Sequence, residues 1–334
     1  FRNTTYALDD KQLSILRNYL LEGEAWILWK GRMDISGCGR QVGKDCQAGK
    51  GRGVLGQIER MIRIDPANTR VYQARLKDND PIGTNTLVGN KHFWRSDMMI
   101  HRRPQWYASV KMSSRRVTGS ETCNSENMLG LHLGDGVLHI YRTAGEYENI
   151  QPFWDWHRLP GTTCDQSISN LVPGNKKCRL PADFVGGVGD GTSGVAALDY
   201  RRDALSAKKS WFFEDDAIVC LTAGVTASNL GPVLTSIQQS LLQGEAVAVS
   251  GPVSGKVGLK AGDWVHHAGI GYLIVQGNTP VVQTVRQEGD WKAIFPTKPG
   301  SPQSGEVFSL WFDHGRSPRD QSCACIIFPG VSVG

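Results

Sequence analysis

The first part of the chain carries apolar residues at the spacing of an α-helix. They fall on one face of a segment that runs from residue 7 to residue 29, and Asp9 or Asp10 can cap its start. The residues of this face are Leu13, Leu16, Tyr19 and Leu20. The pattern predicts a helix that ends in the apolar cluster Trp26–Trp29.

A second helical pattern comes after a glycine-rich polar loop at residues 31–53. Its apolar face consists of Val54, Leu55, Ile58, Met61 and Ile62. Pro66 ends the pattern, because proline lacks the N–H that a continuing helix needs. Two helices bury little apolar surface by themselves, so we expect them to belong to a larger helical unit.

From about residue 70 the period of the pattern changes. Short alternating or β-branched runs, separated by Gly, Asp, Asn and Pro, replace the helical spacing. The runs are Tyr107–Met112, Gly136–Arg142, Val195–Tyr200, Trp211–Phe213, Ala217–Thr222, Ala246–Ser250, Tyr272–Val275, Pro280–Val285, Val307–Phe312 and Cys325–Phe328. Many strands without intervening helices predict a mainly β fold, an antiparallel sandwich.

Composition narrows the class of protein. The 334 residues are 40% hydrophobic and 21% charged, which is ordinary for a globular chain with a large core or two domains. The net charge of +5 is too small to require a nucleic acid, and no apolar run approaches the roughly 18 residues of a membrane span. We therefore expect neither nucleic acid nor membrane as a partner. Because the chain starts at Phe1 rather than at a methionine, we expect a mature or trimmed product.

The eight cysteines include no CxxC pair, which argues against a zinc ribbon. Cys220 lies in the apolar run Ala217–Leu221 and is predicted to be a buried free thiol. Cys164 and Cys178 flank a polar loop and are predicted to form a disulfide. Closing a loop of about 15 residues would contribute about 3 kcal/mol in the chain-entropy model.

The stretch from Lys91 to Thr163 concentrates the candidate chemistry. Seven Lys/Arg and one Asp between Lys91 and Val117 give a local charge of 7 − 1 = +6. Flat apolar faces come from Trp94, Trp106, Tyr107, Trp154 and Trp156, and a polar group consists of Glu121, Asn124, Glu126 and Asn127. Cations with aromatic planes suit an anionic sugar polymer. They also suit single-stranded nucleic acid, or simply a basic strand face above core aromatics.

The order of these residues resembles polysaccharide lyase family 8, and within it the chondroitin AC branch. The resemblance is carried by FWRSDMMIHRRPQWYASVKMSSRR, by E-x-x-N-x-EN before LGDG, and by GEYENIQPFWDWHRLPGTT. It recurs in DWVHHAGIGYLI and FSLWFDHGRSPRDQSCACIIFPG, so it covers nearly the whole chain.

The resemblance implies an α/α toroid followed by a large antiparallel β super-sandwich. Residues 1–65 would be the last helices of the toroid and residues 66–334 the super-sandwich. Most of the toroid would then lie upstream of Phe1, or on a second chain. The implied activity is β-elimination on a uronate polymer by a secreted or periplasmic enzyme, without a cofactor.

The resemblance also implies catalytic residues. Arg40 matches the first Arg of the family's GR-x-x-x-R element, and Lys44 stands where a second Arg is usual. Lysine is a point charge and cannot make the forked contact of a guanidinium, so this departure bears on substrate preference. In another register Arg32 would take part. Glu121 and Asn124 match the E-x-x-N element, whereas Glu126 and Asn127 are expected to hold the turn.

The substrate-binding candidates are Arg32, Arg102, Arg103, Trp94, Trp106 and Trp154. Adjacent residues on a strand point to opposite faces, so at most one of Arg102 and Arg103 is expected to line a groove. The family's Asn, His and Tyr would lie before Phe1, and neither His101 nor Tyr107 replaces them. We therefore expect this chain alone not to be a competent lyase.

Metal ligands are sparse in the sequence. Asp155 and Asp165 offer too few oxygens for a hard cation, so no metal is expected. His266 and His267 are neighbours on a predicted strand, where one is expected in the core and one at the surface. Two other functions stay open, a non-catalytic carbohydrate-binding sandwich and a family member acting on xanthan or alginate.

Overall fold

The computed structural model describes residues 7–169, 172, 176–228 and 231–333. Helices are concentrated near the N-terminus, and antiparallel strands form most of the chain after residue 88, as the hydrophobic pattern predicts. The helices are α1 (Asp10–Asn18), α2 (Cys46–Ile64), α3 (Thr69–Lys77) and the short α4 (Trp291–Ile294). None of the described helices combines the length and the apolar character needed to cross a membrane.

Helix α1 is shorter than the predicted segment. Asp9 caps it, accepting from the Gln12 backbone N–H at 2.7 Å, while the Gln12 side chain accepts from the Asp9 N–H at 3.0 Å. A π turn (Tyr19–Gly23) and a 3-10 turn (Glu24–Ile27) continue the chain, which then enters a hairpin. The hairpin turns at Lys30 and Gly31, both with positive φ, a geometry typical of tight β-turns. The spacing of apolar residues does not indicate such a turn.

Helix α2 stops before Pro66, as predicted, and α3 is a helix that the sequence pattern did not indicate. Asp65, between the two, accepts from Arg17 at 2.9 Å and from the Tyr72 hydroxyl at 2.7 Å. One buried carboxylate thus joins all three N-terminal helices. The division of the chain at residues 65 and 66 stays a prediction.

Two short strands lie near the N-terminus, and the other strands begin at residue 89. Their bounds are β1 (Leu28–Trp29), β2 (Arg32–Met33), β3 (Gly89–Phe93), β4 (Met98–Arg102), β5 (Tyr107–Met112), β6 (Ser120–Glu121), β7 (Asp135–Tyr141), β8 (Thr163–Asp165), β9 (Lys177–Cys178), β10 (Val185–Gly189), β11 (Gly194–Arg202), β12 (Leu205–Phe213), β13 (Ile218–Ala227), β14 (Pro232–Leu241), β15 (Ala246–Ala248), β16 (Gly251–Pro252), β17 (Gly255–Gly258), β18 (Trp264–His267), β19 (Ile270–Gln276), β20 (Pro280–Asp290), β21 (Pro302–Arg316) and β22 (Gln321–Pro329).

These strands build antiparallel sheets. The largest has the order β10-β11-β12-β13-β22-β19-β18-β15-β16, and a second has the order β17-β20-β21-β14-β8. A third sheet has the order β3-β4-β5-β7. Two further sheets, β1-β2 and β6-β9, have two strands each. The predicted antiparallel sandwich is confirmed.

The sheet β3-β4-β5-β7 is buried on both faces. Met99 and Leu138 belong to the core between the large sheets, whereas Met98, Val137 and Tyr141 belong to the core shared with the helices. Because neighbours on a strand point to opposite faces, β4, β5 and β7 each contribute side chains to both cores. This sheet is therefore the junction between the helical part and the sandwich.

Strand β14 is absent from the predicted runs because its buried positions are largely polar. The Gln238 side chain accepts from the Tyr147 hydroxyl at 2.9 Å, and the Gln239 side chain bridges Asp155 and Arg158. Their hydrogen bonds offset the cost of burying amides. No apolar alternation therefore marks this strand.

The predicted bridge between Cys164 and Cys178 is wrong, since both are free thiols. Cys164 lies on β8 in one sheet and Cys178 on β9 in another. The Cys164 sulfur instead lies 3.2 Å from Nε2 of His132, whose Nδ1 contacts Asp135 at 2.8 Å. Cys220 is a buried free thiol, as predicted.

The adjacent histidines of β18 face opposite ways, as predicted. His267 is buried, stacks on Phe308 with ring centroids 4.3 Å apart and accepts from the Gln243 backbone N–H at 3.0 Å. His266 is partly exposed and contacts the Val331 carbonyl. Both roles are structural.

Candidate active site

Arg40 links the helical part of the chain to the sandwich. Its Nη1 lies 2.5 Å from a Glu121 carboxylate oxygen, and its Nε lies 2.9 Å from a carboxylate oxygen of Glu126. The three side chains are about one-quarter to one-third exposed. The residues matched to the loop motif and to the E-x-x-N motif, 81 positions apart in sequence, therefore meet at one surface.

The loop that carries Arg40, residues 39–45, starts from an anchored turn. Asp34 begins the 3-10 turn Ile35–Cys38 and is buried. Its carboxylate accepts from the Tyr107 hydroxyl at 2.7 Å and from the Ser109 hydroxyl. Those two residues lie two positions apart on β5 and so point to the same face.

Strand β7 holds the same 3-10 turn through His139 and Tyr141, which also lie two positions apart and point to the same face. The Tyr141 hydroxyl accepts from the Ile35 backbone N–H at 2.9 Å, and His139 Nδ1 lies 3.0 Å from the Ser36 hydroxyl. Gly39 then leaves the turn with φ of 59° and ψ of −136°, a region that favours glycine. Arg40 thus comes directly after a turn fixed to two strands.

The partner loop, residues 121–127, has an unusual backbone. Asn124, Ser125 and Asn127 all have positive φ, a conformation that asparagine tolerates better than most residues. Asn127 is fully buried, and its backbone carbonyl accepts from the Gly130 N–H at 3.1 Å, so its part in the turn is played by the backbone. Glu126 is expected to hold the turn too, but its carboxylate reaches Arg40 instead.

The two glutamates orient the guanidinium and leave one edge of it unused. Among the described residues, Nη2 of Arg40 has no hydrogen-bond partner. The hydrogen bond to Glu126, with the charges of both glutamates, raises the pKa of Arg40 and keeps it cationic. The unused edge is a positioned donor for an anion approaching the loop.

Lys44 lies on the same loop as Arg40, and Asn124 lies on the same loop as Glu121 and Glu126. Both residues are exposed. Arg32 is placed elsewhere, because its guanidinium forms an ion pair with Glu148 at 2.5 Å. The structure therefore brings Arg40 and Glu121 together and adds Glu126. It gives no contact between Arg32 and this group.

The structure corrects the predicted binding role of Arg102 and Arg103. Arg102 is fully buried and donates to the backbone carbonyls of Leu87, Trp26 and Leu28. Arg103 is also buried and donates to the Thr192 carbonyl and to Asp215, each at 2.7 Å. Both arginines hold the protein together and reach no groove.

Two of the three predicted aromatic contacts are also corrected. Trp106 packs on His101 inside the sandwich, and Trp154 packs on Trp156 and Tyr147 inside the helix-side core. Trp94 alone of the three is on the surface, 59% exposed at the tip of the β3-β4 hairpin. The other two rings are core aromatics.

His101 and Tyr107 are not proton-transfer groups for an external substrate. Both are fully buried. Burial, together with the nearby charge of Arg103, lowers the pKa of His101 to about 3. Burial and the Asp34 carboxylate raise the pKa of Tyr107 well above its ordinary value.

Comparison with known proteins decides the family. The model described as "Polysaccharide lyase family 8, super-sandwich domain" matches residues 88–334. The chain belongs to polysaccharide lyase family 8. Among curated relatives, the chondroitinase-AC of Pedobacter heparinus is 33% identical over 99% of this chain and 48% of its own length. The hyaluronate lyase of Thermasporomyces composti is 31% identical over 73% of this chain and 33% of its own length.

The fold agrees with that membership. A solved structure of chondroitinase AC lyase with bound oligosaccharide has a TM-score of 0.93 and 30% identity, covering 99% of this chain and 50% of that one. This family 8 chain therefore spans about half the length of these chondroitinase AC relatives.

The family 8 chain also carries a surface of cations, and the part of it around β9 was not indicated by the sequence motifs. We call it the basic strip; its members are Lys176, Lys177, Arg179, Arg115, Arg116 and Arg95, with Trp94 at its far end. All of them are exposed. A run of ordinary polar residues around β9 gave no motif from which this surface could be found.

Backbone and side-chain contacts connect the strip to the Arg40 cluster. Lys177 is the cross-strand partner of Glu121. Arg179 donates to the Thr118 hydroxyl at 2.9 Å, and Arg116 pairs with Asp97 at 2.9 Å. Next to Asp97 in the same hairpin, the Arg95 guanidinium lies 4.9 Å from the centroid of the Trp94 ring.

Metal chemistry finds little support in the side chains. Within the described residues no three His, Cys, Asp or Glu side chains group as a metal site. Asp155 is engaged by Arg158 at 2.7 Å and is close to His157. Nothing in the Arg40 cluster requires a cation.

Proposed function

We propose that this chain is the charge-stabilising half of a lyase that cleaves uronate-containing glycosaminoglycans, chondroitin sulfate or hyaluronan, by β-elimination. The observation that carries the proposal is the contact of Arg40 with Glu121 and Glu126. It joins the residues that match the family's GR-x-x-x-R and E-x-x-N elements, and it leaves Nη2 of Arg40 without a hydrogen-bond partner among the described residues.

The chemistry explains why such an edge is needed. Elimination removes the proton at C5, next to the uronate carboxylate, and then breaks the C4–O bond. That proton is very weakly acidic while the carboxylate carries its charge. A fixed cationic donor at the carboxylate stabilises the dianion that develops, and does so without reorganisation. In this proposal Arg40 provides that donor, and Glu121 and Glu126 keep it in place.

Proton transfer must come from other residues. The resemblance implies an Asn, a His and a Tyr on helices of the toroid, supplied upstream of this chain or by a second polypeptide. The burial of His101 and Tyr107 supports that division of labour. The reaction requires no cofactor in principle, and polymers of this kind suit a secreted or periplasmic enzyme.

A non-catalytic carbohydrate-binding role is the second candidate, because the basic strip would hold a polyanion without any proton-transfer group. The two roles differ in product. Elimination leaves an unsaturated uronate that absorbs in the ultraviolet, whereas binding alone leaves the polymer intact. A family member acting on xanthan or alginate would give ultraviolet-absorbing product only with those polymers.

The basic strip gives a prediction about affinity. Replacing Lys177 and Arg179 with alanine should weaken binding of polymeric chondroitin sulfate at low salt, and the deficit should shrink as salt rises. Exposed charges act over about 10 Å at 0.1 M salt, so screening removes what the variant has lost. Lys260→Ala, an exposed lysine on a different part of the sandwich, serves as the control.

Titration of the immobilised polymer with each variant, at several salt concentrations, measures the effect. Wild-type affinity that is indifferent to salt, or equal losses in the control, would remove the strip from the binding surface.

A further inference from the structure

The tip of the β20-β21 hairpin lies beside the loop that carries Arg40. This tip, residues 291–301, contains α4 and follows Asp290. The Asp290 carboxylate accepts from the Lys292 N–H at 2.7 Å and from the Ser301 N–H at 2.9 Å. One side chain therefore holds both ends of the tip together, which fixes its shape.

The tip contacts both loops of the candidate active site. Its Ile294 carbonyl accepts from the Met128 N–H at 3.0 Å, directly after the loop of residues 121–127. Towards the loop that carries the arginine, a Cβ built on Gly43 would lie 3.5 Å from the edge of the Phe295 ring, so this buried ring packs on that loop. The hairpin tip is therefore a third element of the site, which the sequence motifs did not indicate.

Lys298 lies on this tip, against the same ring. Its ammonium lies 4.8 Å from the centroid of the Phe295 ring, and its backbone N–H donates to the Phe295 carbonyl at 2.9 Å. Lys298 is exposed, and within the described residues its side chain forms no ion pair. One phenyl ring therefore separates this ammonium from the loop that carries Arg40 and Lys44.

The charge of the Arg40 cluster gives such a cation a role. Arg40 and its two glutamates amount to one cation and two carboxylates, a net charge of 1 − 2 = −1. A polyanion that met this cluster alone would be repelled by the excess carboxylate. Lys44 and Lys298 are exposed on the adjoining loop and tip, and they bring the local charge to −1 + 2 = +1.

Acidic residues at the ends of the loop and of the tip are already engaged. Asp45 accepts from the Asn149 side-chain amide at 2.9 Å, and the Asp45 N–H donates to the Asn149 side chain at 2.8 Å. Asp290 accepts from the backbone of the tip. In the part of the chain that the structure describes, neither carboxylate pairs with Lys44 or Lys298. Both ammonium groups are therefore available to an anion from outside the protein.

We propose that Lys298 binds a sulfate ester on the sugar next to the uronate, and thereby favours chondroitin sulfate over hyaluronan. The inference rests on the proposed function, in which Arg40 takes the uronate carboxylate and the next anionic group of the polymer falls beside it. In chondroitin sulfate that group is a sulfate on the neighbouring amino sugar, whereas hyaluronan has no sulfate. Lysine suits this contact, because its ammonium is a compact point charge with three rotatable donors.

Equilibrium binding to the 334-residue chain tests this contact without any turnover. The probes are fluorescently labelled oligosaccharides of equal length from chondroitin sulfate and from hyaluronan, at low salt. Lys298→Ala should weaken binding of the chondroitin sulfate probe by about tenfold, the scale of one charged hydrogen bond. Binding of the hyaluronan probe should hardly change, because its carboxylates do not depend on Lys298. Lys298→Arg keeps the cation and should retain the selectivity.

Two controls separate the contact from general charge and from folding. Lys260→Ala removes an exposed lysine elsewhere on the sandwich and should leave both affinities unchanged. The urea-unfolding midpoint of Lys298→Ala should match that of the wild type, because the side chain is exposed.

Three results would overturn the inference: equal losses for the two probes, an unchanged affinity of Lys298→Ala for chondroitin sulfate, or a wild-type chain that binds both probes equally. Its failure is distinguishable from failure of the proposed function. The sulfate contact is measured as binding selectivity at equilibrium, whereas the proposed function is measured as formation of ultraviolet-absorbing product.

Discussion

In the complete enzyme, Arg40→Ala is expected to lower turnover on chondroitin sulfate by about 10²–10³-fold while the midpoint of urea unfolding changes little. The loss in rate follows from removing a positioned donor whose Nη2 has no hydrogen-bond partner among the described residues. The small change in stability follows from exposure, since partly exposed ion pairs contribute little to folding. The measurement is the rate of ultraviolet-absorbing product at saturating polymer, beside an unfolding curve.

Arg286→Ala is the matched control for this prediction. Arg286 is an exposed arginine that faces Glu288 and Glu306 at 3.9 Å on the far sheet. Its removal should leave turnover unchanged. If Arg40→Ala kept wild-type turnover, the loop of residues 39–45 would not be the family's basic element, and its register would have to be reassigned.

Asp34→Ala is expected to destabilise the chain by about 3–5 kcal/mol, the cost of breaking a buried polar network. The substitution leaves the hydroxyls of Tyr107 and Ser109 and the backbone N–H of Ser36 without their acceptor. The urea-unfolding free energy measures the loss. Glu288→Ala, at a side chain 78% exposed, should change that free energy by less than about 0.5 kcal/mol.

The same carboxylate predicts a pH dependence. Burial alone would raise the pKa of Asp34, but the hydrogen bonds of His139, Ser109 and Tyr107 outweigh it and lower the pKa. The stabilisation is therefore present above the unfolded-state pKa, near 3.9, and is lost as pH falls through the lower folded value. The free-energy difference between wild type and Asp34→Ala should shrink below about pH 4. A free-energy difference that grew as the pH fell would contradict the lowered pKa of Asp34.

The strands could be read from the sequence where side chains alternate, and not where polar residues are buried. The run Tyr107–Met112 predicts a strand with its observed bounds because Ser109 and Lys111 alternate with apolar residues. Strand β14 has no such signal, because Gln238 and Gln239 are buried with hydrogen-bond partners inside the sandwich. Burial of polar groups depends on partners far along the chain, which spacing does not encode.

The candidate site could likewise be predicted only in part from the sequence. The order of motifs placed Arg40 and Glu121 in one group, and their side chains meet. The charge of the stretch from Lys91 to Val117 suggested a groove, but alternation did not show that β4 is buried on both faces, which puts Arg102 inside, or that Arg103, the residue after the strand, is buried too. The cations that do reach the surface include Lys177 and Arg179, in a segment without any recognisable pattern.

In the proposed function, this chain stabilises the charge of an elimination reaction and takes its proton-transfer groups from outside itself. The most direct test follows ultraviolet-absorbing uronate product from chondroitin sulfate, first with the isolated 334-residue chain and then with the proposed helical part supplied, joined or separate. We predict no product from the chain alone, product from the combination, and loss of that product with Arg40→Ala. Robust product from the isolated chain would contradict the claim, because its own residues would then include the base.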